Sequence, residues 1–586
     1  MFEKGAIMFL LRWLWKNMEG SRRTYICGMI FTVISQSMFI ISPRIAGTIT
    51  DTFIVNENAA ENLETKPALL AWLLVAMVGF TLIRAAFEYG STMCYERASQ
   101  SMIYKIRAVV FKNIEDQDAK FYDLYRTGDI MTRVSGDLDM VRHSIAWIIR
   151  VILECVIMFT VSIVFFFTMD WLMAVCLISL TPIIMIIAYN FEKAVGPKFR
   201  TKRDKLSDLN TAAEENISGN RVVKAFAREN HEIEKFDKLS SDFRDASKDA
   251  AFTWFKYFPL EEITAQALSV VMLVCGGLFV IFGRISFGDY IAFSGLVWTM
   301  SNPMRQLGTI INDWQSFTAS AQKIVEIYYG KPRIITREDA VDKPGRFEGK
   351  VEFDNVSLNL GGKKVLNNVT FTVNPGETVA IMGETGAGKT LLTELIPRIY
   401  DVTGGEVRVD GTDVRMLKLD QLRRNIATAT QDVFLYSDTI DGNIAYGDSD
   451  CPEEQVYESA RLADADGFIR KLSDGYDTIV GERGVGLSGG QKQRISLSRA
   501  LNVKPAILVL DDTTSALDLE TEKHIQDSLK SLDFKCTKII VAQRISTTKF
   551  ADKVIVMKNG SIIEQGTHEE LIRKNGYYKE VYDLQK

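Results

Sequence analysis

Hydrophobic and polar positions divide the chain near its middle. Most of the long uncharged runs lie before residue 305, and most of the turn-rich, alternating sequence lies after 345. A helix needs roughly 20 apolar residues to cross a bilayer. Six stretches meet that length, at 24–43, 67–86, 147–169, 171–191, 264–283 and 285–304. The third and fourth, WIIRVILECVIMFTVSIVFFFTM and WLMAVCLISLTPIIMIIAYNF, are separated by Asp170 alone, which demands a tight hairpin. The connections from second to third and from fourth to fifth are long, rich in Lys and Arg, and helical in period. Within them, ERASQSMIYKIRAVVFKNIED and KFRTKRDKLSDLNTAAEENI predict helices that run on far past the membrane. KFYDLYRTGDIMTR and SGNRVVKAFAREN read as turn-like tips at the far ends, suited to docking onto another domain.

Basic loops stay cytoplasmic. The first loop, DTFIVNENAAENLETK, is acidic instead. The expectation is a multi-pass protein of the cell membrane with both termini and both long loops cytoplasmic. The N-terminal MFEKGAIMFLLRWLWKNMEGSRR has no small-residue cleavage site and is not read as a removed signal peptide. Its Phe9, Leu10, Leu11, Trp13, Leu14 and Trp15, with Arg12, Lys16, Arg22 and Arg23, suit an amphipathic helix over 1–20 at the membrane surface. A transmembrane domain over 21–325, a linker over 326–348 and a second domain over 349–586 follow.

Composition refines this picture only in part. With 586 residues the chain exceeds one ordinary domain, and its net charge of −5 argues against a nucleic-acid partner. Seven scattered cysteines form no C-x-x-C pair, so neither a zinc site nor a disulfide frame is expected. Glu154 falls inside the third span, where a charge is costly unless paired or wet. It has two readings: a contact for cationic substrates in a central cavity, or a partner for Arg150 four residues earlier, which the spacing favours. Asn302, Pro303 and Arg305 either line a pathway or mark a helix exit. Phe165, Phe166, Phe167, Trp298 and Met300 read as packing or lipid contacts.

From Val351 the period shortens. VEFDNVSLNL and VLNNVTFTV are half-alternating strands joined through GGKK. Then an apolar strand, VAIM, enters Gly383, Glu384, Thr385, Gly386, Ala387, Gly388, Lys389 and Thr390 and passes into a helix. This is G-x4-G-K-T in the strand–loop–helix setting that gives it meaning. The glycines let backbone N–H groups point at phosphates, and the helix N-terminus adds positive potential. Lys389 is placed to reach the β- and γ-phosphates of ATP, and Thr390 to offer its hydroxyl to Mg2+. ILVLD ends a second apolar strand in Asp511, a further Mg2+ position. Ser488, Gly489 and Gly490 open another helix in VGLSGGQKQRISLSRAL. The chain already has one cradle, so this second one points to the ATP of another chain.

GETGAGKT, Gln431 in ATATQDVFLYS, LSGGQ ending at Gln491, ILVLDD, and SALD ending at Asp518 occur in the order and spacing of the ATP-binding cassette family. The chain resembles that family over essentially its whole length, and its six spans resemble the exporter type. GERG at 481–484 is similar to the exporter contact loop, and the two tips resemble its coupling helices. The fold this implies is an all-α six-helix transmembrane domain with long cytoplasmic extensions, followed by an α/β P-loop nucleotide-binding domain. The resemblance also implies a half-transporter that pairs with a second such chain in the lipid bilayer. Two ATP molecules would lie between the cassettes, with Gln431 beside Thr390 and Asp511 at the metal.

Three positions depart from the family pattern. The family usually has Glu where Asp512 stands, and that Glu positions or deprotonates the attacking water. It has a His where Gln543 stands in IIVAQRIST; all four histidines lie elsewhere. Gln hydrogen-bonds but carries no positive charge. The adenine-stacking aromatic would fall at Leu360, which offers no ring. The phosphate cradle is complete while groups used for hydrolysis are changed, so this chain is expected to bind ATP and split it slowly. The reading that follows is the degenerate-site subunit of a heterodimeric exporter of amphipathic compounds, drugs or lipids, lending its LSGGQ to a competent partner. A lipid flippase, a peptide exporter and an ATP-gated channel or regulator are the alternatives.

Overall fold

A computed structural model of the chain describes residues 2–481, 484, 486–513 and 517–585. Two compact units result. One comprises Met1–Glu115 and Thr127–Gly330, the other Asp116–Arg126 and Lys331–Lys586.

The first unit is helical. Among the described residues, five helical stretches are long and apolar enough to cross a membrane, at Arg22–Phe53, Pro67–Glu115, Thr127–Met169, Trp171–Ser218 and Glu229–Ile281. Pro67–Glu115 is one helix of 49 residues and Thr181–Ser218 one of 38, so both extensions predicted from helical periodicity are continuous with the spans. The sixth predicted span, 285–304, is not among the five. Val297, with φ of −54° and ψ of −39°, keeps the helical conformation between Phe287–Leu296 and Trp298–Tyr328, and Asp289, Asn302 and Pro303 interrupt the apolar run of this stretch. Asp170 makes the expected hairpin: its carboxylate accepts from Met173 N at 2.8 Å, capping Trp171–Ile178, and pairs with Arg284 at 2.7 Å.

Packing in this unit is apolar with small polar fasteners. Phe166 stacks on Phe293 at 5.0 Å, and Met173, Leu177, Leu268 and Met300 bury around them. Phe167 and Trp298 stay exposed, as lipid-facing aromatics do. Thr32 and Ser91 hydrogen-bond at 2.6 Å in a buried contact, of the kind that ties helices together where water is absent. Glu154 lies 3.5 Å from Arg150, the pairing that the four-residue spacing favours, and Arg305 lies 3.4 Å from Glu262. The helix Phe2–Asn17 buries Leu10, Trp13 and Leu14 and exposes Phe9, Leu11 and Trp15 beside Arg12 and Lys16, a mixed apolar and basic surface. All seven cysteines are free.

Among its described residues the second unit has ten strands: β1 (Val351–Leu360), β2 (Lys363–Val373), β3 (Thr378–Gly383), β4 (Gly404–Val409), β5 (Thr412–Asp413), β6 (Ile426–Ala429), β7 (Ile507–Asp511), β8 (Thr537–Val541), β9 (Lys553–Lys558) and β10 (Ser561–Gly566). They form an antiparallel sheet ordered β2-β1-β4-β5 and a mostly parallel sheet ordered β10-β9-β3-β8-β7-β6. β3 and β7 are buried on both faces, which explains their unbroken apolar runs. Gly361 and Gly362, with φ of 56° and 81°, make the two-residue turn between β1 and β2 that only residues tolerant of positive φ form well. The core between the sheets gathers Val351, Phe353, Val379, Ile381, Leu392, Val509 and Ile539, each worth about 1.5–3 kcal/mol when fully buried.

Candidate nucleotide site

Strand order builds the site. β8 lies between β3 and β7, with Ile381 paired to Val541 and Val541 paired to Asp511 across parallel ladders. Three strands therefore end in one row. Whatever follows each of them converges at their carboxyl ends, the usual ligand position in such sheets. After β3 comes the glycine loop, after β7 Asp512, and two residues after β8 Gln543.

The loop wraps to make a concave cradle. Gly386 and Gly388 have φ of 82° and 90°, and a side chain on Gly388 would press into Leu366 at 2.8 Å. Lys389 Nζ donates to the carbonyls of Gly383 and Glu384 at 2.8 and 2.9 Å, so the ammonium lies over the mouth of the loop. Burial pulls the Lys389 pKa down, and the carboxylates of Asp511 and Asp512 push it back up. Thr390 Oγ1 donates to Asp511 Oδ2 at 2.7 Å. Burial raises the Asp511 pKa, against the Thr390 hydrogen bond and the Lys389 charge.

Asp512 is buried and has φ of +49°, a left-handed backbone that Asp tolerates better than most residues. Its N–H donates to Val541 O at 3.1 Å. Its Oδ2 accepts from Gln543 Nε2 at 2.8 Å and from Gln431 Nε2 at 3.5 Å. A cavity of about 260 Å³ is bounded by Thr385, Gly386, Gly388, Lys389, Thr390, Gln431, Asp511, Asp512 and Gln543. On the helix Lys389–Glu394 behind it, the Glu394 carboxyl is pushed up to about 7 by burial, then by the Asp511 and Asp123 carboxylates. Asp123 also accepts from Tyr400 Oη at 2.9 Å, within the helix Ala119–Leu124 that begins the first predicted tip.

This geometry suits a magnesium nucleotide. The glycine loop and Lys389 form a concave donor set for phosphate, and Thr390 and Asp511 present two adjacent hard oxygens. Among the described residues no group of three or more His, Cys, Asp or Glu side chains is assembled for a metal, so an ion at Thr390 and Asp511 would draw its remaining ligands from phosphate, water and Gln431.

Not every residue singled out from sequence meets here. Leu360 packs against the apolar core, and Val365 and Val541 line the cavity in its stead; only the register of β2 and β8 identifies them. Ser488, Gly489, Gly490 and Gln491 do not border this cavity. Ser488 and Gln491 form a capping box, with Gln491 N donating to Ser488 Oγ at 3.3 Å and Ser488 N donating to Gln491 Oε1 at 2.8 Å. Asp518 caps Leu519–Lys530 through Thr521 N at 2.7 Å, which lowers its pKa. The 481–484 loop and the start of SALD rest partly on residues 482, 483, 515 and 516, outside the described residues. A larger cavity of about 840 Å³ beside the edge strand β6, lined by Arg423, Arg424, Tyr446 and Arg499, shares no residue with the first.

Family models match the chain twice. The ABC transporter transmembrane region matches residues 25–304, and the ABC transporter model matches 366–515. The uncharacterised ABC transporter ATP-binding protein YknU of Bacillus subtilis is 34% identical over 566 residues, covering 96% of this chain and 95% of that one. The chain belongs to the ABC transporter family. It is an exporter half-transporter that joins a transmembrane domain to a nucleotide-binding domain. An ATP-dependent lipid A-core flippase of Desulfotalea psychrophila is 35% identical over 517 residues, covering 88% of this ABC exporter and 89% of the flippase. The Bacillus subtilis protein YgaD, whose name assigns it provisionally to multidrug export, is 34% identical over 561 residues, covering 95% and 96%. Among solved structures, a bacterial Atm1-family ABC exporter with ATP bound shares the fold, with a TM-score of 0.82, 24% identity, and coverage of 96% of this chain and 99% of that one. ATP binding and ATP-coupled transport across a membrane follow from membership of the family.

Proposed function

We propose that this ABC exporter works as the degenerate-site half of a heterodimer, moving amphipathic drugs or lipids outward from the cytoplasm or inner leaflet. The observation that carries the reading is the Asp512–Gln543 pair. At the position where the family places Glu, a carboxylate one methylene shorter is tied to an uncharged amide at 2.8 Å. A displacement of about 1 Å at a reacting group can cost on the order of a hundredfold in rate. The complete cradle beside it supports binding without fast cleavage. Ser488, Gly489, Gly490 and Gln491 would complete the partner's site, where hydrolysis mainly occurs, while ATP held at Lys389 and Thr390 keeps the cassettes together. Mg2+ at Thr390, Gln431 and Asp511 would supply charge neutralisation to the phosphates.

The domain limits we assign are an elbow helix over 1–20, six spans within 21–325, a linker over 326–348 and the cassette over 349–586. Both termini face the cytoplasm, and the membrane is the plasma membrane. The test is the ATPase activity of the purified chain alone and then with a partner half-transporter carrying Glu and His at the two positions. Slow turnover alone and rapid turnover in the mixture support the reading; rapid turnover as a homodimer overturns it. Lipid flipping is the second reading, favoured by the 35% identity to the lipid A-core flippase, and fluorescent-lipid translocation in proteoliposomes separates it from drug export.

A further inference from the structure

We propose that Gln585 is a positioning residue for the nucleotide site, clamping the backbone on both sides of Arg544 and so aiming Gln543 at Asp512. The inference rests on reading the Lys389 cavity as an ATP site. Ile545 N donates to Gln585 Oε1 at 2.8 Å, and Gln585 Nε2 donates to Gln543 O at 3.0 Å. Arg544 lies between these two groups with φ of −100° and ψ of 136°, an extended residue. In an extended residue the preceding C=O and the following N–H point to the same side. A primary amide offers one acceptor and one donor to that pair, as a neighbouring strand would. A carboxylate supplies only the acceptor, and an aliphatic side chain supplies neither.

The clamp sits where the chain needs one. β8 ends at Val541, so the segment carrying Gln543 has left the ladder that held it. Downstream, the segment is anchored on Glu522, which is buried and accepts from Thr547 Oγ1 at 2.7 Å, with Arg544 at 3.6 Å. Upstream of that anchor, Gln585 holds both backbone groups that flank Arg544. Gln585 is itself well supported. It ends the helix Tyr577–Gln585, docked through the fully buried Tyr578, whose hydroxyl meets Thr548 Oγ1 at 2.8 Å and His568 Nδ1 at 2.6 Å. The C-terminal helix thus reaches Asp512 through two steps: amide clamp to the Gln543 backbone, then Gln543 side chain to carboxylate at 2.8 Å.

The experiment uses the full-length chain in nanodiscs with Q585A, Q585E and, as a control on the same helix, L584A at a highly exposed position. Three quantities are read: amide hydrogen exchange at Ile545, the dissociation constant for MgATP, and kcat for ATP hydrolysis. The clamp predicts faster exchange at Ile545 in Q585A and near-normal exchange in Q585E, which retains the acceptor. It predicts kcat lowered on the order of tenfold in both, from misdirection of Gln543. MgATP affinity should stay within about twofold, because the phosphate cradle does not touch the clamp, and L584A should match the wild type in all three. Unchanged Ile545 exchange in Q585A overturns the inference, as does unchanged kcat. A parallel loss of affinity, turnover and melting temperature also overturns it, by reducing Gln585 to a structural prop. Absence of MgATP binding in the wild-type chain would instead sink the ATP-site reading, and Ile545 exchange would still decide the clamp.

Discussion

Gln543 Nε2 donates to Asp512 Oδ2 at 2.8 Å, joining the residue after β7 to a residue two positions beyond β8. The pair makes the carboxylate an acceptor of an amide hydrogen bond inside a buried site. Lengthening the acid returns its reach, and an imidazole at 543 returns a group able to carry charge. We expect Asp512→Glu combined with Gln543→His to raise the ATPase rate of the purified chain by about tenfold or more, since misplacement of roughly 1 Å costs up to a hundredfold. Phosphate release in nanodiscs measures it. No gain would mean that these two positions do not limit the site.

Lys389 is the cation over the glycine loop. Losing it removes charge-assisted hydrogen bonds to phosphate, each worth about 1.5–3 kcal/mol. Lys389→Ala should weaken MgATP binding to this chain by on the order of tenfold or more, measured by equilibrium dialysis. In the proposed heterodimer it should reduce turnover only in part, whereas removing the catalytic Glu of the proposed partner should abolish turnover.

Glu394 gives the cassette a pH signature. Its folded-state value of about 7 stands above the ordinary 4.5, so the folded chain holds this proton more tightly than the unfolded chain. Its contribution to stability is complete below about pH 4.5 and is lost as pH rises to about 7. Glu394→Gln keeps the shape and removes the charge beside Asp511 and Asp123. Its melting temperature relative to wild type should therefore rise between pH 5 and pH 8 in nucleotide-free protein. An offset that stays constant across that interval would show that Glu394 does not carry the linkage.

Gly288 and Gly47 meet backbone to backbone in the transmembrane unit. A side chain at Gly288 would run into the Gly47 carbonyl and the Asp51 carboxylate, which accepts from Ser286 Oγ at 2.6 Å and Gly288 N at 2.5 Å. Gly288→Val should destabilise the purified protein by about 1–3 kcal/mol through overpacking. Gly79→Ala, with nothing within 4 Å of the added carbon, should leave melting unchanged. Thermal unfolding in detergent compares the two.

What the sequence determined by itself is what a few neighbouring residues decide. The apolar runs, the hairpin at Asp170, the G-x4-G-K-T loop after an apolar strand and the Ser488 helix cap each depend on contacts within a turn or two of chain, and each is readable as written. Tertiary structure decided the rest. The order β3-β8-β7 brings Lys389, Gln543 and Asp512 to one row of strand ends, and that order is a property of the whole sheet. Strand register puts Val365 at the cavity and Leu360 against the apolar core, and a register is chosen by packing on both faces. Gln585 meets Gln543 only because Tyr578 docks its helix, and no local pattern encodes a contact between residues 42 positions apart.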